Sequence, residues 1–465
     1  MPFVTAPVVP TTPFLDHPDD AFFDQLIATD FARLRTGNHH YLDYTGGGLY
    51  AERQLQTHFR QLSEGTFGNP HSVNPTSRAA TESVEAARSK VLEFFNAADD
   101  YYCVFTANAT AALKIVGECF PWNADSRYLL LTDNHNSVNG IREYCRSAGG
   151  AFEYAPVCSH NLTIDGEAMN RLLDQPTHGP SLFAYPAQSN VSGVKHDLGW
   201  VETARSKGWY TLLDAAAFVP TNPLDLQEVT PDFVCLSFYK MFGYPTGIGA
   251  LLLRKPALSC LKKRWFAGGN VRIAGVRKAA HLFNENHEQF ENGTVNYLGL
   301  PAVETGLDFL GYVGMERLRD RVRRMAGYLH QQLRELRHAN GNPLVRIYGP
   351  RDRSSCGGTI IFTVFDERGK RRCFREVEAR TAEHRVSVRS GCFCNPGLDE
   401  INSEVSPEEL EQHFTIAGGM NHAEIMASLS AIRGATRASV GIATTTRDID
   451  VLIEVLASFR VESLR

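Results

Sequence analysis

Short, almost uninterrupted apolar runs punctuate the middle of the chain: Tyr128–Thr132, Ser181–Tyr185, Tyr210–Leu213, Phe233–Ser237 and Ile248–Leu253. Each has the length of a strand and lacks the alternation of a half-exposed one, so each predicts a strand buried on both faces. Leu55–Glu64 and Ser83–Phe95 instead place apolar residues at helical spacing among polar and charged ones, as amphipathic helices do. Strands separated by helical segments predict an α/β fold with a mostly parallel, doubly wound sheet. Such sheets bind ligands outside the carboxyl ends of their strands.

From about Ala302 the texture changes. A charged helical stretch, Gly311 to His338, intersperses Arg and Glu with Leu and Met, and beyond it lie a strand, Thr359–Val364, and a final helix, Asp448–Phe459. These predict a smaller α+β domain. The expected division is an N-terminal arm, 1–40, packing with the small domain, a large domain, 41–310, and a small C-terminal domain, 311–465, carrying a cysteine loop.

Composition narrows the partners. The 465 residues are 43% hydrophobic and 21% charged, a globular mix, and 47 basic against 52 acidic residues leave a net charge of −5. That balance offers no basic footprint for nucleic acid or an anionic membrane, and points to a small molecule or another protein. No run approaches the roughly 18 apolar residues of a membrane-spanning helix. The N-terminus has no basic segment followed by an apolar one, so a cytoplasmic protein is expected. Ten cysteines are scattered without a small-scaffold framework, which favours reduced thiols that mostly pack as small hydrophobes. The exception is the close pair in Arg389-Ser390-Gly391-Cys392-Phe393-Cys394-Asn395-Pro396-Gly397.

Three local patterns carry chemistry. Lys240 follows the strand Phe233–Ser237 and precedes a Gly-rich turn, where a desolvated amine forms a Schiff base; taken alone it reads as a surface lysine. Asp214 directly follows another apolar run, where a carboxylate can pair with a protonated pyridine nitrogen or merely cap a helix. Thr106-Ala107-Asn108-Ala109-Thr110 is a small-residue turn opening a helix, whose N–H groups and Thr110 hydroxyl suit a phosphate.

Thr110, His135, Asn190, Asp214 and Lys240 in this order resemble the fold-type I, pyridoxal 5'-phosphate enzymes of the class V aminotransferase and cysteine desulfurase group. Within it the chain is most similar to the N-terminal, desulfurase-like domain of the molybdenum cofactor sulfurases. The matching runs include Phe67-Gly68-Asn69-Pro70-His71-Ser72, Asn134–Val138, the lysine segment and Gly391–Gly397, and extend from about Tyr41 to the C-terminus. The resemblance implies a seven-stranded type of sheet in the large domain. It implies that Lys240 holds the cofactor, Asp214 meets the ring nitrogen, His135 stacks on the ring and helps move protons, and Asn190 bonds the ring hydroxyl near the substrate. Thr110 and Ser237 would take the phosphate, with Ala109 and Tyr239 beside it. Thr294 matches a residue that reaches the phosphate from a second subunit, which implies a homodimer. Arg437 and Arg389 would meet the substrate, with a structural ion pair as the competing reading of Arg437. Cys394 aligns with the nucleophilic cysteine, favoured as thiolate by Arg389 and carried on a flexible loop. Cys392 is expected to pack, with persulfide relay as its alternative, and no metal site is expected.

The implied activity is L-cysteine desulfuration, giving alanine and an enzyme persulfide whose sulfur passes to an acceptor. Ala217 and Tyr239 depart from the desulfurases of iron–sulfur pathways but recur in the sulfurase branch, whereas Leu398-Asp399 stand where that branch usually continues with a further cysteine. With the chain ending at Arg465, the acceptor is expected to be another molecule: molybdenum cofactor on a separate protein, or a secondary-metabolite intermediate. A C–S lyase releasing pyruvate, and an inactive scaffold, are the alternatives.

Overall fold

The computed structural model describes residues 17–404, 408, 411 and 433–460. The predicted strands form one sheet with two further members: β1 (Tyr101–Thr106), β2 (Arg127–Leu131), β3 (Ala151–Ala155), β4 (Leu182–Pro186), β5 (Tyr210–Asp214), β6 (Phe233–Ser237) and β7 (Gly249–Arg254). Their spatial order is β1-β7-β6-β5-β4-β2-β3. All are parallel except β7, which runs antiparallel to both neighbours. The turn Gly243–Gly247 after Lys240 is short enough to return the chain directly beside β6, which a parallel crossover could not do.

Uninterrupted apolar strands follow from two separate cores. Alternate residues of one strand enter different ones: Leu129, Leu131, Phe183, Tyr185, Leu213 and Val234 join one, and Tyr128, Leu130, Leu182, Ala184, Leu212 and Phe233 join the other. A side-chain period of two thus puts apolar groups on both faces. β3 escaped the apolar pattern because it is an edge strand, paired only with β2, with its first three residues exposed.

The helices that matter to the site are α1 (Asp20–Asp30), α2 (Glu52–Glu64), α3 (Pro75–Phe94), α4 (Ala109–Cys119), α5 (Pro301–Val313), α6 (Met315–Glu335), α7 (Phe374–Glu383), α8 (Pro396–Ser403) and α9 (Thr446–Ala457). The predicted helix from Gly311 to His338 is in fact two helices meeting at Gly314, whose φ of +82° ends one and starts the other. Only glycine takes that conformation freely, and we propose Gly314, three residues beyond the expected boundary, as the division between domains. A second, antiparallel sheet, ordered β8-β9-β11-β10, consists of β8 (Val345–Ile347), β9 (Thr359–Val364), β10 (Arg389–Gly391) and β11 (Ala435–Ser439).

Residues 1–16 of the expected arm lie outside the described residues. Beyond them Asp20 of α1 pairs with Arg321 and Arg324 of α6, both at 2.8 Å, and Asp30 binds Arg53 of α2. His40 and Tyr41 then pair in parallel with Val386 and Ser387. Among the described residues no helix is long and apolar enough to cross a membrane.

α5 packs on the short helix that bears Lys240 through Gly306, where any Cβ would overlap the Phe242 ring. Gly306→Val is expected to destabilise the protein by about 1–3 kcal/mol, the usual cost of overpacking. A thermal melt unchanged from wild type would refute this account of the contact.

Candidate active site

The carboxyl ends of the parallel strands converge on one cavity of about 160 Å³, lined by Ala109, Thr110, His135, Asn190, Asp214, Ser237, Tyr239 and Lys240. Each stands there for a local reason. Lys240 sits on a one-turn helix, Phe238–Phe242, that continues β6, and Asp214 is the last residue of β5. Burial pulls the Lys240 amine below its usual range, against the opposing pull of Asp214, with Arg437 and Arg389 lowering it further. Asp214 Oδ1 accepts from the Ala216 N–H at 3.0 Å, and Oδ2 has no hydrogen-bond partner among the described residues.

His135 caps the short helix Asn136–Asn139: its Nδ1 accepts the Ser137 N–H at 3.1 Å. In a neutral imidazole that places the proton on Nε2. Burial lowers its pKa, Lys240 and Arg437 lower it further, and Asp214 opposes them, which favours the neutral ring. Opposite, Asn108 caps α4 by accepting from the Ala111 N–H at 2.9 Å, and the Ala109 N–H donates to Ser237 Oγ at 2.8 Å. Thr110 and Ser137 hydroxyls meet at 2.8 Å. An eleven-residue helix opening onto small residues and hydroxyls is a cradle for phosphate.

These groups fit pyridoxal 5'-phosphate. A free carboxylate oxygen, a desolvated amine, a neutral imidazole and a helix N-terminus with hydroxyls line the same small space, as that cofactor's ring nitrogen, aldehyde, ring face and phosphate require.

The arginines lie beside it and are not free. Arg389 and Arg437 face each other across β10 and β11, an unfavourable juxtaposition of like charges, and Asp43 lies between them. Asp43 accepts from Arg389 Nη2 at 2.7 Å and from Arg437 Nη2 at 3.0 Å. The ion-pair reading of Arg437 is therefore what the structure contains, and Arg389 is compensated by Asp43 before it can act on Cys394. Arg437 is 3% exposed, its Nη1 donates to the Asn190 carbonyl at 2.7 Å, and its Nε has no partner. Desolvation lowers its pKa against the pull of Asp43. Asp43 was not singled out in the sequence, and its one signal there is Gly46, whose missing side chain leaves room for the carboxylate.

Nor is the cysteine turn loose, as the sequence suggested. Phe393 and Cys394 both have left-handed φ, +55° and +54°, and their carbonyls are held, by Asn190 Nδ2 at 2.8 Å and by the Asn136 N–H at 2.7 Å. Asn395 donates to Asp133 Oδ1 at 2.7 Å and to Asn190 Oδ1 at 3.1 Å. Asp133, fully buried, also accepts from Ser189 and His196. Asn190 thus joins the cavity, the arginine and the cysteine turn. Cys394 is exposed and close enough to Lys240 to affect its charge. Cys392 is exposed too and does not pack in the core; local desolvation and the adjacent Asp399 push its thiol up to about 12. Asp399, at the departure from the sulfurase pattern, accepts the Gly434 N–H at 2.9 Å and so ties this loop to β11. Thr294 lies outside the cavity, in a neighbouring groove with Trp265 and Asn292. No metal-binding cluster occurs among the described residues.

A sheet of this order with a lysine and an aspartate at its strand ends is the fold-type I architecture of pyridoxal-phosphate proteins. A cysteine desulfurase of Thermococcus onnurineus shares the fold, with a TM-score of 0.76 at 20% identity over 94% of this chain and 97% of its own. A cystine C–S lyase solved with cysteine persulfide does so at 0.70 and 18%, over 92% of this chain and 99% of its own. The aminotransferase class V family model matches residues 40–452, and the chain belongs to that family. Its relatives include the molybdenum cofactor sulfurases of Homo sapiens, 35% identical over 94% of this chain, and Arabidopsis thaliana, 35% over 92%. The chain spans 51% and 57% of those two proteins' length.

The pinned turn makes a prediction. Asn395→Ala removes its bonds to Asp133 and Asn190 and the cap of α8, and is expected to cost about 1–2 kcal/mol. Hydrogen exchange should rise in residues 391–396 while β5 and β6 keep wild-type protection; equal protection of the turn would show that the clamp does not hold it.

Proposed function

We propose that the chain is a pyridoxal-phosphate-dependent L-cysteine desulfurase that carries sulfur on Cys394 to a separate acceptor. The observation that carries this reading is the clamp on Cys394: Asn190 and Asn136 hold its turn at the rim of the cavity lined by Lys240, Asp214 and His135. The resemblance to sulfurases at 35% identity supports it.

Lys240 would bind the cofactor through Nζ, Asp214 Oδ2 would keep its ring nitrogen protonated, and Ser237, Thr110 and the start of α4 would hold its phosphate. When bound, the cofactor supplies an electron sink at the substrate's α-carbon. Two guanidiniums against one Asp43 carboxylate leave one positive charge at the rim, which suits the substrate carboxylate, and Arg437 would receive it. Lys240 Nζ, whose pKa desolvation lowers, can take the α-proton. Neutral His135 leaves Nε2–H to donate. Cys394 Sγ then bonds the substrate sulfur as that sulfur's bond to carbon breaks. Cysteine and the Cys394 thiol become alanine and the Cys394 persulfide, with no external oxidant.

Lys240→Ala is expected to lose the visible band of lysine-bound cofactor and to reduce alanine formation from L-cysteine by about 10²–10⁴-fold. Cys394→Ser should keep the band yet form no persulfide. Pyruvate and sulfide in place of alanine would identify a C–S lyase, a protein without the band would be the inactive scaffold, and full alanine formation by Cys394→Ser would move the nucleophile elsewhere.

The homodimer belongs to the same reading. Thr294 does not line its own chain's cavity, and the nearby hairpin Val271–Gly275 and Ala280–Phe283 exposes Ile273, Val276 and Leu282 at 67%, 100% and 56%. Such a patch suits a second copy. Light scattering should give twice the chain mass, and Val276→Asp with Leu282→Asp should shift it toward the monomer; a wild-type monomer would remove Thr294 from the site.

A further inference from the structure

One face of α6 and the loop after β8 enclose a groove of about 730 Å³ lined by Arg323, Arg324, Arg334, Arg337, Arg351 and Arg353 against only two acids, Glu335 and Asp352. In a chain of net charge −5 this is a local reversal of sign. Two of the arginines are compensated: Arg323 by Asp320 at 3.2 Å and Arg324 by Asp20 at 2.8 Å. The other four pair with no carboxylate among the described residues. The two acids are engaged elsewhere, Glu335 accepting from Gln331 at 2.9 Å and Asp352 from the Ser354 N–H and hydroxyl at 2.9 and 2.8 Å. His330 adds no charge: burial and the nearby Arg353 and Arg334 lower its pKa to about 4.

Arg353 is the most telling of the four. Its Nη groups donate to the carbonyls of Ser192 and Thr359, while its Nε is sealed from solvent without a partner. A guanidinium held in place by carbonyls, partly desolvated and without a counter-charge, is costly. An oxyanion in the groove would supply the missing counter-charge. Guanidinium forks match the paired oxygens of phosphate, and the volume is that of a small-molecule site.

We infer that this groove binds a phosphorylated small molecule, with Arg353 at its floor and Arg334, Arg337 and Arg351 around it. The site is separate from the cofactor cradle and stands whether or not the chain desulfurates cysteine.

The test is calorimetric titration of inorganic pyrophosphate into the full-length, cofactor-loaded protein, whose own phosphate cradle is then filled, at about 0.15 M salt to screen diffuse attraction. Saturable binding to one site per chain is expected, weakened about tenfold or more in the Arg334→Ala, Arg351→Ala double variant and in Arg353→Met. Arg60→Ala, which changes an exposed arginine of α2, should bind as wild type. If Arg353→Met fails to fold, the exposed double variant still decides. The proposal is overturned by the absence of saturable binding, by equal affinity in the double variant, or by capture of polyglutamate without pyrophosphate, which would make the groove a surface for an acidic protein.

Discussion

Asp43 shares one carboxylate between two arginines on adjacent strands, and the site is arranged around that sharing. Without it, Arg437 would be a buried cation with no counter-charge, a defect worth about 3–5 kcal/mol, directly opposite the like charge of Arg389. With it, the segment following Tyr41 is fastened to β10 and β11. Gly46–Gly48 then run against Tyr239, with the Gly48 N–H donating to the Tyr239 carbonyl at 3.0 Å. A single carboxylate thus joins the small sheet to the turn that bears Lys240. It also sets the local charge: one excess positive charge at the rim, ready for a carboxylate.

A second buried carboxylate does the corresponding work for the cysteine turn. Asp133 accepts from Ser189, His196 and Asn395. Such a group is tolerated in the interior because both of its oxygens accept hydrogen bonds. Through Asn395 and Asn190 it fixes two consecutive residues in a conformation that costs non-glycine residues strain energy. A thiol that receives sulfur within a small cavity needs that positioning more than it needs freedom. On the proposed function, delivery to an acceptor would require the bonds of Asn190 and Asn136 to open, a local event that leaves the strands intact.

The expected strand runs formed because contiguous apolar residues satisfy two cores at once, and Lys240 and Asp214 were conspicuous because each ends such a run. What escaped notice had weak local patterning. β3 is an edge strand whose short run Glu153 interrupts, and β7 was expected without its reversed direction, which the short turn after Lys240 decides. The long charged helix breaks at Gly314, a single residue whose positive φ the surrounding helical pattern conceals. Asp43 and Asp133 carry no periodic signal at all, since their partners are hundreds of residues away or on other strands.

By itself the sequence determined which segments could be buried on both faces, and where a lysine and an aspartate would emerge from the sheet. Those are consequences of side-chain period and residue chemistry along one stretch of chain. Only the tertiary structure decided that Arg437 and Arg389 are held by Asp43, that the cysteine turn is clamped, and that four arginines from a helix and a loop face one groove without counter-charges. Charge compensation and hydrogen-bond satisfaction depend on distances of about 3 Å between residues far apart in the chain, and folding alone brings them together.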